Sequence, residues 1–172
     1  GQGLEFVFEF LRENKQFGVK IIGTCENTLY KKYQTIVAAY GIQTQVYFPN
    51  RFFSERELDT VSKTCHVGIA LYDIDKTSAT FYTDPGKIKT YAQLGLPVIM
   101  SHVSTVAPYV VKFGSGRVIR THRADLQKAL IDIKKQYASY VRGVQAFNAF
   151  FNYETYYKKS FAFLESHEKK IR

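Results

Sequence analysis

The chain has 172 residues, 45% of them hydrophobic and 23% charged, with a formal net charge of +9. That length suits one α/β domain with a core of its own. No apolar run approaches the ~20 residues of a membrane span and no signal peptide shows at the start, so a membrane-spanning or secreted chain is not expected.

In chain order, residues 4–15 read as an amphipathic helix. Leu4, Val7, Phe8 and Leu11 recur at helical spacing, and Gly18 ends the segment. Residues 19–23 are a short strand. Asn27 or Thr28 can cap the next helix, which runs to Tyr40 and stops at Gly41. Residues 44–48 are a strand ended by Pro49-Asn50. Ser54 caps a short helix over residues 54–63, and Glu57 completes a capping box.

The central stretch follows, residues 65–101. Residues 67–72 and 97–101 are apolar on consecutive positions, as in parallel strands covered on both faces. Between them lie a polar loop over residues 73–83 and a helix that opens at Asp84-Pro85 and closes at Leu94-Gly95. Ligands of such sheets sit outside the carboxyl ends of the strands, so residues 73–87 are the first place to look for function.

Ser104 then caps a helix to about Lys112 that must tolerate Pro108. Residues 114–116 are a turn and 117–120 a strand. Residues 123–140 and 144–151 are helical, and residues 152–168 form a terminal helix in which Tyr156, Phe163 and Leu164 are expected to pack. This alternation predicts an α/β parallel sheet in one domain spanning residues 1–172. The chain opens on a helix where Rossmann-like halves open on a strand. Either the sheet is one strand short or the chain is a fragment.

Several features carry no chemistry in this reading. Cys25 and Cys65 lie far apart and read as small buried residues near strand edges, which suits a reducing, cytoplasmic setting. His66, His102, His122 and His167 form no pattern, and His102 reads as a surface imidazole. Lys31-Lys32, Lys134-Lys135, Lys158-Lys159 and Lys169-Lys170 read as scattered pairs on solvated helix faces. No nucleic-acid motif is present, so nucleic acid is not an expected partner. The +9 charge also fits a second class of function, a non-catalytic Rossmann-like module that binds an anionic membrane surface or polyanion.

The central stretch resembles the donor-binding C-terminal domain of group 1 GT-B glycosyltransferases. Residues 65–72, CHVGIALY, and 84–99, DPGKIKTYAQLGLPVI, are similar to the family's "ADVGLAPY" and "PxKxxEYLAxGxPVI" segments. Residues 46–58 are similar to "VxFxGxxxxxEL", and FNYE at 151–154 to the "FxWE" that opens the last helix. The resemblance covers nearly all of the chain. It implies a Rossmann-like parallel sheet flanked by helices and lacking its first strand, with a helical C-terminal extension. It also implies that Gly1-Gln2-Gly3 is the remnant of a glycine-rich turn, and that an N-terminal acceptor domain precedes this half.

The activity implied is transfer of a sugar from a UDP- or GDP-linked donor to a glycan or lipid-linked acceptor, with this half inactive alone. No cofactor is implied. A base for the transfer would belong to the other half, so no catalytic residue is assigned. The pyrophosphate would meet Asp84, Pro85, Gly86 and Lys87: a helix start offers free N–H groups, Pro85 suits the first turn, Gly86 lets a ligand approach and Lys87 supplies a cation. The bland reading is an ordinary capped helix start. One turn on, the family's ribose-binding Glu is replaced by Thr90, a neutral and weaker acceptor. The loop 48–53 would hold the base, with Phe52 or Phe53 stacking and Arg51 near phosphate or base edge. Tyr72 and Tyr82 would line the pocket or pack under the loop. Asp73 and Asp75 form a D-x-D, but GT-B domains need no metal and none is expected. A peripheral contact with the inner face of a membrane is a further expectation.

Overall fold

The computed structural model of the chain describes residues 3–72, 82, 86–103 and 105–168. In order the elements are α1 (Leu4–Glu13), β1 (Val19–Lys20), α2 (Asn27–Ala39), a 3-10 turn (Gln43–Gln45), β2 (Val46–Tyr47), α3 (Glu55–Ser62), β3 (Gly68–Ala70), α4 (Gly86–Gln93), β4 (Val98–Ser101), α5 (Ala107–Phe113), β5 (Gly116–Ile119), α6 (Arg123–Lys135), α7 (Tyr137–Phe150) and α8 (Tyr153–Glu168).

Among the described residues the ladders between strands are all parallel, as the strand-helix alternation requires. The sheet comes in two pieces, β1-β2 and β3-β4-β5. Both pieces contribute to one core. Val19, Ile21 and Val46 pack with Val67, Ile69 and Leu71 around the buried Phe8, Leu11 and Tyr33. Yet β1 and β3 are not hydrogen-bonded to each other. A strand lying between them would join the pieces, which is the sheet lacking one strand that the sequence predicts.

The three-stranded piece is covered on both faces. Ile99 and Ile119 face α1 and α6, while Val98 and Met100 face α4, α5 and α7. All four residues of β4 are buried, which is why this strand reads as an unbroken apolar run.

The paired strands are shorter than their apolar runs. In residues 19–23 the ladder holds only Val19 and Lys20 against Val46 and Tyr47. Burial extends past the hydrogen bonds, and an apolar run reports burial. At β5 the difference runs the other way: Gly116, expected in a turn, is the first strand residue. A Cβ there would fall 2.0 Å from the Val98 carbonyl oxygen, so only glycine lets the strands meet.

The helix expected over residues 123–140 ends at Lys135, and α7 starts at Tyr137 after the non-helical Gln136. Gly143 packs α7 onto the turn after α5, where a Cβ would lie 2.3 Å from the Gly114 carbonyl oxygen. Glu26, not Asn27 or Thr28, sits at the N-cap of α2, and Thr28 donates to its carboxylate. Phe163 and Leu164, expected to pack, are largely exposed, and the Tyr156 side chain lies outside the described residues. Cys25 and Cys65 are unpaired thiols, half-buried rather than buried. No described helix is long and apolar enough to cross a membrane.

Candidate functional site

Parallel strands deliver their exit loops to one edge of each sheet piece, where ligands of such sheets sit. Four exits are tied in two pairs. Asn50, after β2, adopts a left-handed backbone, φ 48°, and its side-chain oxygen accepts from the Cys25 amide at 2.7 Å. An antiparallel bridge between Gly23 and Arg51 reinforces that link. At the exits of β3 and β4, the Ser101 hydroxyl accepts from the Tyr72 amide at 2.6 Å and donates to the Tyr72 carbonyl at 2.9 Å. That clamp is fully buried, so it fixes where Tyr72 leaves the sheet.

Two helix starts meet the same edge. Gly3, with φ 73°, begins α1 and packs so close to Leu71 that a Cβ would lie 2.8 Å from the Leu71 Cβ. Gly86 begins α4. Helix starts carry unpaired N–H groups and the positive end of the macrodipole, so two of them favour an anion.

Lys87, in the first turn of α4, places its ammonium 4.9 Å from the centre of the Tyr72 ring. Burial pushes the Lys87 pKa down from its ordinary value. A desolvated cation over an aromatic face gains most from an incoming anion. Tyr72 itself is only 6% exposed, and its hydroxyl has no hydrogen-bond partner among the described residues. Burial, then the neighbouring Tyr91, pushes its pKa up to about 12, so the phenol stays protonated and is a donor.

Thr90 is exposed on α4, and its hydroxyl donates to the Gly86 carbonyl at 3.2 Å. Its proton is thus engaged, and toward a ligand it acts as an acceptor. Gly86 is exposed, and a Cβ there would meet nothing within 4 Å. Its own fold does not demand glycine. Asp84 and Pro85, with the D-x-D pair Asp73 and Asp75, lie outside the described residues.

The loop after β2 carries three further candidates. Arg51 stacks its guanidinium 3.9 Å from the Phe53 ring centre and donates to the Glu57 carboxylate at 2.6 Å and the Phe52 carbonyl at 2.8 Å. The Arg51 hydrogen bond, then the Ser54 amide and hydroxyl, pull the Glu57 pKa down to about 2. Arg51 therefore fastens this loop to the capping box of α3. Phe53 lies beneath that stack, and Phe52 projects outward, 82% exposed.

His102 is exposed just beyond β4. Among the described residues no group of three or more His, Cys, Asp or Glu side chains could hold a metal ion. A groove of about 500 Å³ lies elsewhere, along the outer edge of β5. The Ser101 clamp and the Gly3–Leu71 contact escaped the sequence reading, because neither serine nor glycine signals its long-range partner.

No family model and no curated protein matches the sequence. Solved structures do. Sucrose-phosphate synthase from Thermosynechococcus elongatus superposes with a TM-score of 0.70 at 18% identity, over 94% of this chain and 43% of that one. WaaG, a glycosyltransferase involved in lipopolysaccharide biosynthesis, superposes with a TM-score of 0.63 at 14% identity, over 88% of this chain and 40% of that one. The chain thus has the α/β fold of GT-B glycosyltransferases. It spans less than half the length of either of these proteins.

Proposed function

We propose that this chain is the nucleotide-sugar donor-binding half of a glycosyltransferase, a hexosyltransferase that moves a sugar from a nucleoside diphosphate to a glycan or lipid-linked acceptor. One observation carries the reading: a partly buried lysine in the first turn of α4, held over Tyr72 at the exit of β3. In this reading the pyrophosphate lies at the α4 start, met by Lys87 and by backbone N–H groups around Gly86. Asp84 and Pro85 shape that turn. Thr90, one turn along the helix, accepts a hydrogen bond from the ribose where the resembling family places a carboxylate. Phe52, exposed at the neighbouring exit, stacks on the base, UDP or GDP, and Arg51 holds that loop in place. Sugar transfer would need an acceptor domain beyond these residues, so the chain alone binds donor without turning it over. No metal is required, and the reading places the protein in the cytoplasm.

Calorimetric titration of the intact chain with UDP, GDP and their sugars tests the reading. Binding that weakens about 10- to 100-fold in Lys87→Ala is expected, the loss of one charge-assisted contact. A folded chain that binds neither nucleotide at millimolar concentration refutes it.

A further inference from the structure

We propose that the outer edge of β5 takes an extended peptide as an added strand, one that alternates acidic and apolar side chains. The proposal goes beyond donor binding and stands without it.

Among the described residues β5 is hydrogen-bonded on one side only, to β4. In their ladder Val98 pairs with Gly116, and the Val98 amide donates to the Ser115 carbonyl at 3.1 Å. Successive residues of a strand aim their main-chain groups at opposite neighbours. Ser115, Arg117 and Ile119 therefore face β4, while Gly116 and Val118 turn their N–H and carbonyl groups outward. No hydrogen bond outside the ladder engages the main chain of either residue among the described residues. These groups face the groove of about 500 Å³, which every residue of β5 lines. An open strand edge in a groove is a template for one more strand.

The walls of the groove define what that strand carries. On one side stands α6. Arg117 leans toward it and donates to Asp132 at 2.7 Å, and Lys128 lines the groove there. Arg120 extends the cationic wall past the end of β5. Lys128 and Arg120 are exposed and enter no ion pair among the described residues. Asp125 is the one carboxylate lining the groove, so three cations face one anion. On the other side, Val118 packs toward the core beneath α5, and exposed Val111 lines the groove. Side chains of a strand alternate between faces, so an added strand would set one series against cations and the other against apolar carbon. Charge also disfavours a second copy of this chain as the occupant, because β5 beside β5 would place arginines against arginines. The slot is short: the four residues of β5 span about 13 Å, the reach of a linear segment.

Amide shift mapping of the full chain with a short capped peptide of alternating glutamate and valine, beside its lysine and valine counterpart, tests this. The acidic peptide should shift Gly116, Val118 and Arg120 and bind about tenfold tighter than the basic one, a gap that narrows at high salt. The acidic peptide methylated on its main-chain nitrogens keeps its charge but loses its donors, and should bind about tenfold more weakly or worse. Arg120→Glu with Lys128→Glu alters only exposed positions, so the thermal melt should hold while the preference for the acidic peptide is lost. Lys87→Ala should leave both peptides unaffected. Equal binding of the two peptides, undiminished binding of the methylated one, or no shift at Gly116 and Val118 at millimolar peptide overturns the proposal.

Discussion

Lys87 and Gly86 stand side by side at the start of α4 and make opposite demands. Lys87 is held in a partly desolvated position over Tyr72, an arrangement that costs stability while the amine is charged. Its depressed pKa means the folded chain releases this proton more readily than the unfolded one. The cost is therefore present at low and neutral pH and is relieved as pH rises through the folded value. A bound phosphate reverses the sign by favouring the ammonium. Nucleotide affinity should be highest at neutral pH and fall as pH rises through the free protein's Lys87 pKa, with proton uptake on binding measurable by calorimetry in buffers of different ionisation enthalpy. Gly86→Ala tests the neighbour. Its Cβ would meet open space, so the folded chain should gain roughly 0.5–1 kcal/mol of helix stability. If the nucleotide approaches that backbone, the same change weakens nucleotide binding. The place of Lys87 in the first turn of α4 was legible from sequence because a helix start needs only local signals. The engagement of Arg51 was not, because stacking on Phe53 and pairing with Glu57 depend on how the loop turns back on α3.

Among the elements, α3 and α7 show how far local signals reach. The capping box of Ser54 and Glu57 was readable from spacing alone and is present in full. It adds a pH signature. Glu57 is held down to about 2, so its contribution is whole above the ordinary 4.5 and is lost as pH falls between these values. Glu57→Gln should flatten that part of the acid-unfolding profile followed by circular dichroism, whereas an unchanged profile would show that Arg51 and Glu57 are not coupled in solution. The break before α7 was not readable. Apolar periodicity continues across Gln136, and the packing of Gly143 on Gly114 comes from elsewhere in the chain. Gly143→Ala places a carbon against backbone oxygens that cannot move as a side chain can. It should cost roughly 1–3 kcal/mol, or more if α7 must shift, read from chemical denaturation midpoints. Leu164 and Phe163 were expected to pack because helical spacing shows which residues share a face, and nothing in it shows whether that face has a partner.

At the scale of the whole molecule, parallel pairing and the two-sided core followed from the order of apolar runs and helix signals, whereas the division of the sheet into two pieces was not read from them. The two sheet pieces are not hydrogen-bonded to each other, yet both are buried in one core. Which strand exits share a sheet edge was legible for the same reason: parallel topology fixes it. What that edge holds is less so, because the loop between β3 and α4 has little local code. The central claim is that a nucleoside diphosphate lies at the α4 start, between the exits of β2 and β3. Amide shift mapping of the intact, isotope-labelled chain under titration with UDP and GDP tests it most directly. The account predicts shifts at Tyr72, Gly86, Lys87 and the loop bearing Arg51 and Phe52, with the groove beside β5 unmoved; shifts confined to that groove, or none at all, would contradict it.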